Sequence, residues 1–279
     1  MSLTTVPNNM MSFDGGAFSF RNKIINGDMR IGQRNNGTAV THSGMSNLYV
    51  IDRMVCNSTG TPQFSVQRVA DAPPGFTHSA KLMTTTAGTP AAGDFSYFGQ
   101  YIEGFTGSDL AFGTAAAKTV TVSFWVKSSL TGAFGGALKN GAVNRAYPFT
   151  YTINSANTWE YKSVTIAGDT TGTWATDNTV GVSLFFDTGS GANNKATAGA
   201  WGSTTALGAP GVVNLVETAA ATWNVTGIQL EVGSTATPFE HRPYGLELAL
   251  CQRYFYKLFP GVTGDYSGQD FHIRVHNLS

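Results

Sequence analysis

Residues 223–258 read WNVTGIQLEVGSTATPFEHRPYGLELALCQRYFYKL, and the fold is decided by how this stretch is read. Val225, Ile228, Leu230 and Val232 are strand formers. From Ile228 they alternate with Gln229 and Glu231, the period of a strand with one apolar and one polar face. Gly233, Ser234 and Pro238 break that period, and Arg242, preceding Pro243, favours extended backbone. From Leu246 to Leu258 the pattern predicts a helix. Such an abrupt change of period marks a join between two parts of the chain.

Working outward, the same strand period recurs. Residues 118–127, KTVTVSFWVK, place Val120, Val122, Phe124 and Val126 on one face and Thr121, Ser123, Trp125 and Lys127 on the other. Trp125 therefore lies on a polar face, either covered by a loop or exposed as a stacking platform. Further strands are expected at 48–55, 63–69, 80–83, 95–102, 159–166, 180–186 and 212–216, with a bent first strand around Ile24, Ile25, Met29 and Ile31. Glycine-rich turns separate these short strands. That is the pattern of an all-β, jelly-roll β-sandwich with an irregular N-terminal segment and a short C-terminal helix. The expected organisation is an irregular segment over 1–22, the sandwich over 23–240, and a helix and tail over 241–279. The run at 188–211 reads as a long surface loop carrying Trp201.

Composition agrees. Charged residues make up 12% of the 279 residues and there are 33 glycines, against a usual charged share of about a quarter. Lys plus Arg equals Asp plus Glu at 17 each. No positive field is available to attract phosphate backbones, so nucleic acid is not an expected partner. No apolar run reaches the roughly 18 residues of a membrane span, so no membrane insertion and no export signal are expected. Cys56 and Cys251 are far apart in sequence and read as two buried thiols.

A search for catalytic groups returns little. Asp187-Thr188-Gly189-Ser190 resembles an aspartic-protease signature, but that chemistry needs two aspartates sharing a proton and no second copy exists. A strand end running into an Asp-Gly turn explains it. Carboxylates are scattered singly, His272 and His276 lie in an alternating rather than helical pattern, and the glycines at 132–136 lack a phosphate-loop ending. No catalytic residue and no metal ligand is therefore assigned. Aromatic residues in turn-rich segments remain: Tyr97, Tyr101, Tyr147, Trp159, Trp174 and Trp201. Sugar rings are held by aromatic stacking with neutral hydrogen bonds, so Trp174, Trp201, Tyr101 and Trp125 are the candidate glycan contacts. The helix is apolar around most of its girth, which makes Leu246, Leu250, Cys251, Tyr254 and Phe255 candidates for an oligomer interface.

Several motifs recur together in bacteriophage and prophage tail-fibre or receptor-binding proteins, which the chain resembles. They are Asn22-Lys-Ile-Ile-Asn-Gly-Asp28, the pair Asp52-Arg53, Val122-Ser-Phe-Trp-Val-Lys127, Gly227-Ile-Gln-Leu-Glu-Val-Gly233 with Thr237-Pro-Phe-Glu-His-Arg-Pro-Tyr244, and Leu248-Ala-Leu-Cys-Gln-Arg-Tyr254. The resemblance spans most of residues 13–257, and its last forty residues are the specific part. It implies a carbohydrate-binding-module-like jelly roll, a homotrimer, and a non-catalytic role at the tail of the virion, recognising host polysaccharide or lipopolysaccharide beside other tail proteins. The alternatives are a polysaccharide-degrading tail enzyme and a structural adaptor that binds no sugar. No cofactor is expected. Similar modules hold a structural calcium near an acidic residue of the first strand, and here Arg30 closely follows Asp28, a departure from that pattern. Met54 stands where an aromatic often follows Asp-Arg.

Overall fold

The computed structural model describes residues 20–257 apart from 36, 43 and 45. The expectations for residues 1–19, Leu258, His272 and His276 lie outside the described residues. In chain order the strands are β1 (Val40–His42), β2 (Leu48–Ile51), β3 (Met54–Ser58), β4 (Gln63–Val69), β5 (Ser79–Thr86), β6 (Ser96–Glu103), β7 (Val120–Ser128), β8 (Gly132–Asn140), β9 (Ala146–Ile153), β10 (Glu160–Ile166), β11 (Val180–Asp187) and β12 (Thr222–Val232). A one-turn helix α1 (Gly104–Gly107) follows β6, and α2 (Tyr244–Gln252) follows β12.

The strands form two six-stranded antiparallel sheets. Sheet A runs β1-β4-β5-β12-β7-β10 and sheet B runs β2-β3-β6-β11-β8-β9. The chain is an all-β sandwich. Between the sheets, Phe124 meets Tyr151 and Phe186 edge-on at 4.9 and 4.8 Å, and Trp223 lies 5.3 Å from Phe186. The buried indole N–H of Trp223 donates to the Tyr151 hydroxyl at 3.1 Å, so this aromatic core leaves that donor satisfied.

β12 carries an irregularity that its sequence encodes. Trp223 and Val225 point into the core, and so do Ile228 and Leu230, a change of parity within one strand. One extra residue must be inserted between them. The register confirms it: Thr226 faces Trp125 and Gln229 faces Ser123, so three steps on β12 match two on β7. Gly227 takes φ +62° there, and a Cβ on it would lie 2.7 Å from the Phe76 ring. β5 pairs with β12 only from Thr222 to Val225. Beyond the bulge the N-terminal segment takes its place, with Ile228 N–H donating to the Gly27 carbonyl at 3.0 Å and Lys23 N–H to the Leu230 carbonyl at 2.8 Å.

This corrects the expected first strand around 24–31, which does not form. Its backbone is bonded largely by side chains instead. Ile25 N–H donates to Gln100 Oε1 and Gln100 Nε2 donates back to the Ile25 carbonyl, at 2.8 and 2.7 Å. Asn26, at φ +60°, folds its side chain onto Ile31 and the Asp52 carbonyl, and Arg68 Nε and Nη2 donate to the carbonyls of Met29 and Arg30. A second correction concerns 212–216, which is irregular and enters a 3-10 turn at Leu215–Glu217. The expected single strand at 48–55 is β2 and β3, folded back at Asp52-Arg53, with Arg53 at φ +70°.

The helix is also shorter than its pattern suggests: α2 starts at Tyr244 and ends at Gln252 rather than 258. The cause lies in the residues just past its end. Tyr254 and Phe255 leave the helical path to cover the guanidinium groups of Arg53 and Arg34, 3.5 and 3.6 Å from their ring centroids. The polar face of β12 is likewise not solvated. Gln229 and Glu231 are 0% and 2% exposed, because the chain returns over them: Thr237 donates to Glu231 through N–H and hydroxyl at 2.8 and 2.6 Å, and Glu240 N–H donates to Gln229 Oε1 at 2.9 Å.

Arg242 completes this clasp between residues 22–24 and residues 240–247. Its Nη2 donates to the Asn22 carbonyl and to Glu240 Oε2, and its Nη1 to the Ile24 carbonyl and to both oxygens of Glu247. Glu247, in α2, also accepts from Asn26 N–H. Asp28 pairs with Arg30 at 2.5 Å. Among the described residues no group of three or more His, Cys, Asp or Glu is arranged to hold a metal, and no helix is long and apolar enough to cross a membrane.

Candidate functional site

The four candidate glycan residues fall in three places. Trp174 and Trp201 come together, with ring centroids 5.3 Å apart and Phe112 edge-on to both at 4.8 and 5.7 Å. Each half-buried indole N–H is taken by a backbone carbonyl, Thr171 for Trp174 and Ala167 for Trp201. Both rings pack on the edge of the main core, where they anchor the loops that carry them.

Trp125 lies elsewhere, on the outer face of sheet A. It lines a shallow groove of about 560 Å³ with Phe76, Ser123, Tyr161, Thr237, Phe239 and His241. The strand period of β7 puts Trp125 on this face, and β10 places Tyr161 directly across from it, the two rings 5.5 Å apart. The far wall comes from two loops. Phe76 packs edge-on to Phe239 at 5.2 Å and lies 5.3 Å from His241, seated over the space that Gly227 leaves open. Tyr161 is 45% exposed. Asp71 pairs with Lys127 and accepts from the Trp159 indole at 3.3 Å; partial desolvation raises its carboxyl, and the hydrogen bonds from Lys127 and Trp159 with the lysine charges outweigh it and hold the carboxyl below the usual range.

Tyr101 lines a second cleft, of about 300 Å³, on the outer face of sheet B. Phe95, Tyr97 and Phe185 share its wall, and Asn194, Thr205 and Leu207 form its rim. The loop at 188–211 thus contributes more than the long surface loop expected of it: Leu207 is buried against Val55, Tyr97 and Phe185. Tyr97 and Tyr101 hydroxyls meet at 3.2 Å, and burial pushes Tyr97 up. Lys139, missed in the sequence, is buried in the same cleft, and burial pushes its ammonium down to about 8. Nothing in KNG at 139–141 marks that lysine except its place at the end of a strand.

The protease-like Asp187 ends β11, where its Oδ1 accepts from Gly189 and Ser190 N–H at 2.9 and 2.8 Å, and burial raises its pKa. It is a turn residue. Asp169 is held by a bidentate pair with Arg145, both contacts 2.7 Å. Both cysteines are free and buried, with the Cys56 thiol pushed up to about 12 by burial. Of the candidate interface residues, Cys251 is buried against Ile25 and Ile31, Leu250 and Tyr254 are partly buried in that cluster, Phe255 stacks under Arg34, and Leu246 is 39% exposed.

Fold and geometry together define a two-sheet β-sandwich with an aromatic groove on one outer face and an aromatic cleft on the other. No protein-family model matches the chain, and no curated protein matches it. Solved structures to which it is similar include the enzymatically active domain of bacteriophage CBA120 tailspike protein 4, at 14% identity and TM-score 0.38, covering 76% of this chain and 22% of that one. The chain thus spans about a fifth of the tailspike domain's length. Another is a family 11 carbohydrate-binding module from Clostridium thermocellum in complex with a β-1,3-1,4-mixed-linked tetrasaccharide, at 9% identity and TM-score 0.38, covering 69% and 96%. A third is TmCBM61 in complex with β-1,4-galactotriose, at 8% identity and TM-score 0.35, covering 77% and 100%. At such identities and scores the likenesses reach no further than the β-sandwich itself.

Proposed function

We propose that this chain is a non-catalytic glycan-recognition subunit of a bacteriophage or prophage tail, carried in the virion and binding host surface polysaccharide or lipopolysaccharide. The observation that carries the binding part is the groove at Trp125 and Tyr161. The Trp125 and Tyr161 rings stand 5.5 Å apart on neighbouring strands, Tyr161 45% exposed, in a groove that also holds Phe76, Phe239 and the exposed His241 imidazole. Such a surface suits the apolar C–H face of a sugar bordered by hydroxyls. The tail part is supported by the ordered motifs from Asn22 to Tyr254. The carboxylates of Asp169, Glu231 and Glu247 are engaged by Arg145, by Thr237 of the return loop and by Arg242, which favours a structural role for those three over a hydrolytic one.

The test is a bacterial glycan array followed by affinity measurement on Trp125→Ala and Tyr161→Ala. Each variant is expected to bind its glycan at least about tenfold more weakly, the loss of one stacking anchor. Variants that bind as well as wild type would overturn the groove, an array without hits would favour the structural adaptor, and reducing ends released from host polysaccharide would favour the enzyme.

The assembly proposed is a homotrimer joined near α2, beside other tail proteins. Tyr244, Leu246 and Tyr256 are 57%, 39% and 59% exposed on and just beyond the helix, large apolar side chains that a sister subunit could cover. Native mass spectrometry at micromolar protein is expected to show a trimer, and Leu246→Glu to shift it toward monomer. A wild-type spectrum of monomer alone removes this part of the proposal.

A further inference from the structure

The cleft on sheet B has a charge that its surroundings do not answer. Register places Tyr101 on β6, Ser183 on β11 and Lys139 on β8 in one row across the sheet, and all three side chains line the cleft. Lys139 is only 5% exposed. One of its three ammonium protons goes to the Thr205 carbonyl at 2.6 Å. Among the described residues no carboxylate stands within 4.0 Å of it, although nine other Lys and Arg side chains have such a partner.

A buried ammonium with two unused donors is costly in a folded protein unless something else meets it. The neighbours are the rings of Tyr97, Tyr101 and Phe185 and the amide of Asn194, a mostly apolar wall that strengthens attraction for an opposite charge by lowering the local dielectric. We propose that this cleft receives the carboxylate of an acidic sugar residue, a uronic acid in the simplest case, on Lys139, with the sugar ring against Tyr101 and Phe185. The sugar part rests on the glycan reading above, and the carboxylate part rests on Lys139 alone. The two outer faces then divide the work: the Trp125 groove stacks neutral rings, and the Lys139 cleft reads charge.

The test is an NMR titration of the intact chain with sodium glucuronate, glucose and sodium acetate, repeated on Lys139→Met, Lys139→Gln and Trp125→Ala. Glucuronate is expected to move the Tyr101 and Ser183 signals at concentrations where glucose does not, and acetate to bind at least about tenfold more weakly than glucuronate. Both Lys139 variants are expected to lose ~10- to 100-fold in glucuronate affinity, the worth of a charge-assisted hydrogen bond. Lys139→Met is expected to melt no lower than wild type, because an apolar side chain of similar volume replaces an unpaired charge. Trp125→Ala is expected to leave glucuronate binding unchanged. Equal binding of glucose and glucuronate, or unchanged glucuronate binding by either Lys139 variant, overturns the proposal, and acetate binding as tightly as glucuronate overturns its sugar part. Because glucuronate reports on Lys139 without the groove, failure of neutral glycans at Trp125 would leave this result readable.

Discussion

Arg242→Ala is expected to lower the free energy of unfolding by about 3–5 kcal/mol, the cost of stripping one partner from a buried ion pair. The guanidinium and the Glu247 carboxylate are 6% and 5% exposed, so water cannot replace what is lost. Alanine would strand Glu247, and it would leave the carbonyls of Asn22 and Ile24 without donors, each a further penalty. The measurement is the denaturant midpoint with unchanged slope. A double variant, Arg242→Met with Glu247→Met, is expected to recover part of the loss, since removing both charges relieves the stranded one. An Arg242→Ala midpoint within experimental error of wild type would show that the clasp does not hold residues 22–24 to α2 as described.

Gly27→Ala is expected to cost about 3 kcal/mol, at the upper end of ordinary overpacking. A Cβ at residue 27 would stand 2.1 Å from the Ile228 carbonyl oxygen and 3.3 Å from the Phe239 ring. Backbone cannot rotate away as a side chain would, so the segment would lift off β12 and weaken the Ile228 N–H bond to Gly27. Gly245→Ala in α2 is the control. No atom lies within 4 Å of its Cβ position, and alanine is favoured over glycine in a helix by about 0.5–1 kcal/mol, so its effect should be neutral or stabilising. Equal destabilisation by the two variants would rule out close approach as the cause.

Strands with a regular period were legible from sequence. β7 alternates cleanly, and the parity change between Val225 and Ile228 matches the bulge in β12. β8 was hidden because Gly135 and Gly136 stand where an alternating strand would carry side chains. A Cβ at Gly136 would meet the Phe149 ring at 2.5 Å, a requirement set by another strand and invisible locally. The segment at 22–31 has the composition of a strand but obtains its hydrogen bonds from Gln100, Asn26, Arg68 and Arg242, residues scattered from 26 to 242. Trp125 was readable as an outward ring from its period, whereas Tyr161, Phe76 and Phe239 join it only through tertiary pairing. Lys139 gave no signal, because its burial depends on a rim folded back from Asn194 to Leu207. The motifs that carry the tail-protein resemblance, Asn22 to Asp28, Asp52-Arg53 and Gln229 to Arg242, meet largely at the clasp, so they report on architecture more than on ligand.

The position of β12 also sets an order of events for a nascent chain. This strand, made after the other eleven described here, occupies the middle of sheet A, with β5 on one side and β7 on the other. Without residues 222–232 the order of that sheet leaves β5 and β7 with no strand between them, two edges open to pairing with each other or with neighbouring chains. Insertion of the strand joins partners as distant in sequence as Val225 and Ala80, a closure of high contact order and therefore slow. During synthesis the half-built sandwich is the species most exposed to edge-to-edge aggregation.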